Sequence, residues 1–109
     1  MAIPHHHTEE NQMRVELLYF DDCPNWTTAD SYLTALAETG GFEVVHRVIS
    51  TAAEAEAAQF RGSPTILVDG RDPFALGNEP FGLSCRIYQT PDGPAGSPTL
   101  AQLAEALGG

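Results

Sequence analysis

Between Val15 and Ile49 the chain carries a short apolar run, a cysteine–proline step, an apolar stripe at helical spacing, a double glycine and a β-branched run, in that order. Val15 to Phe20 is too short and too apolar for a helix and reads as a buried strand. Proline is favoured at the first helical position, so Cys23-Pro24 predicts a helix starting at Pro24 with Cys23 as its N-cap. Trp26, Ala29, Leu33 and Leu36 then recur at spacings of three and four and give that helix one face to lay on a sheet. Gly40-Gly41 ends it. Phe42 to Ile49 reads as a second strand. Strand, helix and strand in this order predict a parallel pair joined by a right-handed crossover.

The remainder extends this unit. Thr51 to Glu54 matches a capping box, which places a second helix from there to about Arg61, ended by Gly62. Thr65 to Asp69 is a third strand, and Gly70 to Leu83 a long connection with enough apolar residues to pack down. Ser84 to Thr90 reads as a fourth strand, antiparallel to the third. Ser97 and Pro98 cap a last helix with Leu100, Leu103, Ala104 and Leu107 on one face. The fold class is therefore α/β, in the order β-α-β-α-β-β-α, with a four-stranded mixed sheet and helices on both faces. Residues 13–109 form one domain, as a chain of 109 residues allows. Residues 1–12, with His5, His6 and His7, show no periodicity and read as a tail or N-terminal extension. A triple histidine in such a tail lacks the geometry of a metal site.

Charge narrows the partners. A net charge of −10 repels phosphate backbones and anionic lipid, which argues against nucleic-acid and membrane partners. No run is apolar and long enough for a membrane span, and a cytoplasmic location is the default expectation. All five basic residues are arginine in an Ala- and Gly-rich chain, in keeping with a GC-rich bacterial source. No motif requires a cofactor, and no resident metal is expected.

Tyr19 to Trp26 (Tyr-Phe-Asp-Asp-Cys-Pro-Asn-Trp) resembles the glutaredoxin-type strand, loop and Cys-Pro-x-Cys helix start. Phe60 to Thr65 (Phe-Arg-Gly-Ser-Pro-Thr) resembles a Gly-Thr-Pro-Thr segment whose proline is cis. Together with the element order, these motifs make Met13 to Leu107 similar to the thioredoxin-like superfamily. The resemblance implies a reactive thiol at Cys23, substrate contacts from Pro24, Trp26, Ser63 and Pro64, and a cis Ser63-Pro64 bond. It also marks a departure, because Trp26 stands where the second cysteine of a dithiol enzyme belongs.

The chemistry then rests on one thiol. At a helix N-cap, Cys23 would face unpaired amides and the positive end of the helix dipole, both of which favour thiolate. Asp21 and Asp22, directly before it, act the other way. Cys85 alternates with Ile87 and Gln89 on the fourth strand, which implies burial as a small apolar side chain. An antiparallel fourth strand would leave Cys85 roughly 16 Å from Pro64, too far for a disulfide without a shift of register. The function this favours is monothiol exchange at Cys23 with a low-molecular-weight or protein thiol, or capture of a thiophilic ligand there. Two alternatives stand beside it. One is a degenerate, non-catalytic module that binds a partner at the Trp26, Ser63 and Pro64 surface. The other is soft-metal or mercurial binding by Cys23 with Cys85, which needs the two sulfurs to be neighbours.

Overall fold

The computed structural model describes residues 13–77 and 79–108; the predicted tail at 1–12 lies outside them. Among the described residues it is a mixed α/β structure with three helices and two sheets. The strands are β1 (Arg14–Tyr19), β2 (Glu43–Val48), β3 (Thr65–Val68), β4 (Tyr88–Thr90) and β5 (Gly93–Ala95). The helices are α1 (Trp26–Gly40), α2 (Ala52–Ala58) and α3 (Leu100–Ala106). No helix among the described residues is long and apolar enough to cross a membrane.

The first sheet has the order β2-β1-β3. β1 pairs in parallel with β2, from Arg14 opposite Glu43 to Tyr19 opposite Val48, as a crossover through α1 requires. It pairs antiparallel with β3, Val15 facing Val68 and Leu18 facing Thr65. β1 is thus the central strand, and its side chains alternate between two cores. Val15 and Leu17 pack with Ala29, Leu33, Phe42, Ile66, Tyr88 and Leu103 on the α1 and α3 side. Leu18 packs with Ile49, Ala55, Phe60 and Leu67 on the α2 side. Helices lie on both faces, the two with predicted apolar stripes, α1 and α3, on one and α2 on the other.

The four-stranded sheet is not formed. The segment expected as its fourth strand is strand only from Tyr88 to Thr90, and there it pairs with Gly93–Ala95 as a separate hairpin. Where the same segment does approach β3, at Cys85 opposite Ser63, the pairing is a single parallel bridge. The reversal begins directly after β3. Asp69 and Gly70 both take positive φ, 53° and 83°, and turn the chain so that Val68 bridges Arg71. Loop 72–83 then leads back to the Ser63 end of β3, so Cys85 arrives at the end of the sheet where Cys23 sits.

α1 also starts later than expected. Pro24 and Asn25 form a turn, with the Thr27 N–H bonded to the Pro24 carbonyl at 3.1 Å, and Asn25 is the N-cap. Its side chain makes no capping hydrogen bond but lies against Gly96, where even a Cβ would come within 2.3 Å of the amide nitrogen. Cys23 therefore lies two residues ahead of the cap. α2 and α3 each begin with a complete capping box, Thr51 with Glu54 and Thr99 with Gln102.

Candidate functional site: a disulfide at one end of the sheet

Cys23 and Cys85 are joined in a disulfide with a Cα–Cα distance of 5.8 Å, across a sequence separation of 62. This corrects the expectation that Cys85 lies at the far end of a strand and out of reach. It also removes the lone thiol, because the second sulfur comes from the loop after β3 rather than from the position of Trp26.

The two halves of the bond sit in different surroundings. Cys23 is 1% exposed, whereas Cys85 is exposed and not buried in a sheet as its alternation implied. Cys23 is fixed through its backbone. Its N–H donates to the Phe20 carbonyl at 3.0 Å, and the Phe20 N–H donates to Ser63 Oγ at 3.0 Å. Cys23 Sγ lies 3.8 Å from the Ser63 carbonyl oxygen. In the disulfide that sulfur has no proton to donate, so this becomes a weak S–H···O hydrogen bond only after reduction. Asp21 and Asp22 are exposed on the preceding turn.

Ser63 joins the two cysteines on the backbone side. The Ser63-Pro64 bond is cis. The Ser63 N–H donates to the Ser84 carbonyl at 2.7 Å and its carbonyl accepts from the Arg86 N–H at 3.0 Å. The Pro64 carbonyl accepts from the Tyr88 hydroxyl. Burial, against a smaller opposing effect of the Arg86 charge, pushes the Tyr88 phenol well above its ordinary range and keeps it a donor. Ser63 and Pro64, expected to offer backbone to a substrate, are thus buried and already bonded to residues 84–88. Pro24 is exposed, and Trp26 is half-buried with its ring stacked on Tyr19 at 4.2 Å between centroids. The expected face of Trp26, Ser63 and Pro64 is therefore not one open surface.

Access to the disulfide is from the Cys85 side. A cleft of about 530 Å³ there is lined by Phe74, Leu76, Ser84, Cys85 and Ile87 together with Arg61, Glu79 and Arg86. Its charges are largely matched within the protein. Arg86 pairs with Asp72 at 2.7 Å, and Arg61 lies 3.7 Å from Asp72 and 3.5 Å from Glu79. Hydrogen bonds from the Leu76 and Gly77 amides hold the Glu79 carboxyl below the usual range. None of the charged cleft residues was singled out in the sequence. Arg61 and Arg86 are far apart in the chain from each other and from Asp72, and only the reversal at Asp69-Gly70 gathers them.

Among the described residues no cluster of three or more His, Cys, Asp or Glu side chains could hold a metal ion. His46 forms an exposed pair with Asp30 at 2.7 Å, on β2, an edge strand of the sheet. Comparison with protein-family models, with curated proteins and with solved structures finds no match to this chain.

Proposed function

We propose that this chain is a thioredoxin-like thiol–disulfide exchange protein that works through the Cys23–Cys85 pair. What carries the reading is the asymmetry of the bond, with one sulfur on an exposed residue beside a cleft and the other buried behind it. Thiol–disulfide exchange needs an attacking thiolate to approach one sulfur in line and expel the other. Attack at Cys85 Sγ by a partner thiolate forms a mixed disulfide there and releases Cys23 as thiolate. A second thiolate, from the same protein partner or from a second low-molecular-weight molecule, then attacks the partner's sulfur in that mixed disulfide, closes the partner disulfide and frees Cys85. The partner loses two electrons and the cysteine pair gains them; run backwards, the same steps reduce a partner disulfide. Cys23 takes the leaving role because it is the buried partner, so that a thiolate arriving from the cleft meets Cys85 Sγ first. The partner is a low-molecular-weight or protein thiol.

The test is equilibration of the purified protein in glutathione redox buffers, followed by acid quench and thiol counting by mass spectrometry. The expected result is a reversible two-thiol transition, with a glutathione adduct trapped on Cys85 in Cys23→Ser. A disulfide that stays closed in buffers poised down to about −300 mV would make it a structural cross-link and overturn the proposal.

A second reading has one observation in its favour. Soft-metal or mercurial capture needs neighbouring sulfurs, and the disulfide makes Cys23 and Cys85 neighbours. Tight mercuric binding by the reduced protein that is lost in Cys85→Ser would support it.

A further inference from the structure

Arg86 follows Cys85 directly and is 6% exposed, and the Asp72 side chain facing it is 2% exposed. The guanidinium grips the carboxylate with two nitrogens, at 2.7 and 3.4 Å. The same Nη1 lies 3.4 Å from Thr65 Oγ1, and the guanidinium carbon lies 4.6 Å from the centre of the Tyr88 ring. Gly62, at φ 115°, makes room for this packing, because a Cβ there would sit 3.0 Å from the Arg86 Cβ.

Burying such a pair is a poor route to stability. The desolvation of two charges can exceed their attraction, and apolar residues of equal volume often serve as well. What a two-pronged ion pair gives that an apolar contact does not is a fixed position and orientation. Here it fixes the residue next to Cys85, whose N–H also bonds to the Ser63 carbonyl. None of these contacts is made by either sulfur.

We propose that Arg86 and Asp72 form a latch that keeps Cys85 opposite Cys23 while the disulfide is open. They are positioning residues. They act through Cys85, holding its thiol at high effective concentration toward Cys23, so that closure is an intramolecular step. The inference rests on the exchange reading and adds how the pair is kept ready between its two redox states.

The latch predicts the closure equilibrium. Asp72→Asn preserves shape and removes the charge, and it should lower the equilibrium constant for closing the disulfide against glutathione at least tenfold, about 30 mV. Asp72→Glu, which keeps the carboxylate, should lower it less. Thr51→Ala, a lesion in the α2 cap remote from the cysteines, should leave it unchanged even though the fold is weakened. A second measurement uses the wild-type chain, chemically reduced, with amide exchange followed by NMR. The Arg86 N–H should remain protected at least a hundredfold with the disulfide open.

An Asp72→Asn equilibrium within twofold of wild type would overturn the latch. So would a reduced wild-type protein in which the Arg86 amide exchanges at the unfolded-chain rate while Leu17 in β1 stays protected. If Asp72→Asn does not fold when reduced, the wild-type measurement decides. Failure of the exchange reading is visible separately, as a wild-type disulfide that never equilibrates with glutathione.

Discussion

Cutting the Cys23–Cys85 bond has a magnitude that follows from its place in the chain. A cross-link removes loop-closure entropy from the unfolded ensemble, and for a separation of 62 residues that is about 4 kcal/mol at 25 °C. The suitable variant is Cys85→Ser, because Cys85 is exposed and a hydroxyl there meets water, whereas a hydroxyl at Cys23 would be buried. Urea unfolding of the oxidised wild type, the reduced wild type and Cys85→Ser should give two nearly coincident low values and one high value. For a domain of about 100 residues the gap corresponds to roughly 15–30 °C in Tm. The oxidised chain should also show the smaller m-value, since its unfolded state stays tied and compact. Linkage runs in both directions: if the disulfide stabilises the fold by about 4 kcal/mol, the fold lowers the potential of the disulfide by about 90 mV relative to the unfolded chain. Oxidised and reduced proteins that unfold within about 1 kcal/mol of each other would refute the entropic argument.

Three further outcomes are expected. After reduction, Cys85 should alkylate faster than Cys23 in a timed maleimide reaction read by peptide mass spectrometry, the reverse of what an N-cap position for Cys23 implied. Burial alone would raise the Glu16 pKa, but hydrogen bonds from Arg14 and Arg47 outweigh it and hold the carboxyl below its ordinary range. That stabilisation is complete above the unfolded-state value of about 4.3 and is lost as pH falls through the lower folded value. Glu16→Gln should therefore flatten the acid limb of the stability–pH curve measured by urea unfolding. Thr51→Ala removes the hydroxyl that accepts from the Glu54 N–H at 3.1 Å and should cost about 1 kcal/mol in the same assay.

The local patterns of the sequence translated well into elements. The capping box at Thr51 marks a boundary that the structure has, the stripe Trp26, Ala29, Leu33 and Leu36 lies on α1 with Ala29 and Leu33 buried, and the run Val15 to Phe20 corresponds to β1, Arg14–Tyr19. Pro24 misled by two residues. It is a good first helical residue, but it is equally good in the turn that it forms here. β5 is not foreseen because Gly93-Pro94-Ala95 contains the two residues most depleted in strands. The position of Cys85 was not legible at all. It depends on Asp69, a non-glycine residue at φ 53°, and on the Asp72 to Arg86 pair, which are non-local choices that no window of sequence displays.

The separation of 62 residues between the bonded cysteines also sets an order of events during synthesis. At 5–20 residues per second, Cys85 is added roughly 3 to 12 s after Cys23. By the end of that interval the residues of β1, α1, β2, α2 and β3 have all been added, and so has Ser63, two residues ahead of β3, whose backbone bonds to the neighbours of Cys85, Ser84 and Arg86. Throughout it, Cys85, the only other cysteine of these 109 residues, has yet to be added. Any oxidant met early links Cys23 to something other than Cys85, so a cell that makes this protein must either keep the nascent thiol reduced or reverse what forms. The exchange chemistry proposed for the finished pair is what such a reversal requires.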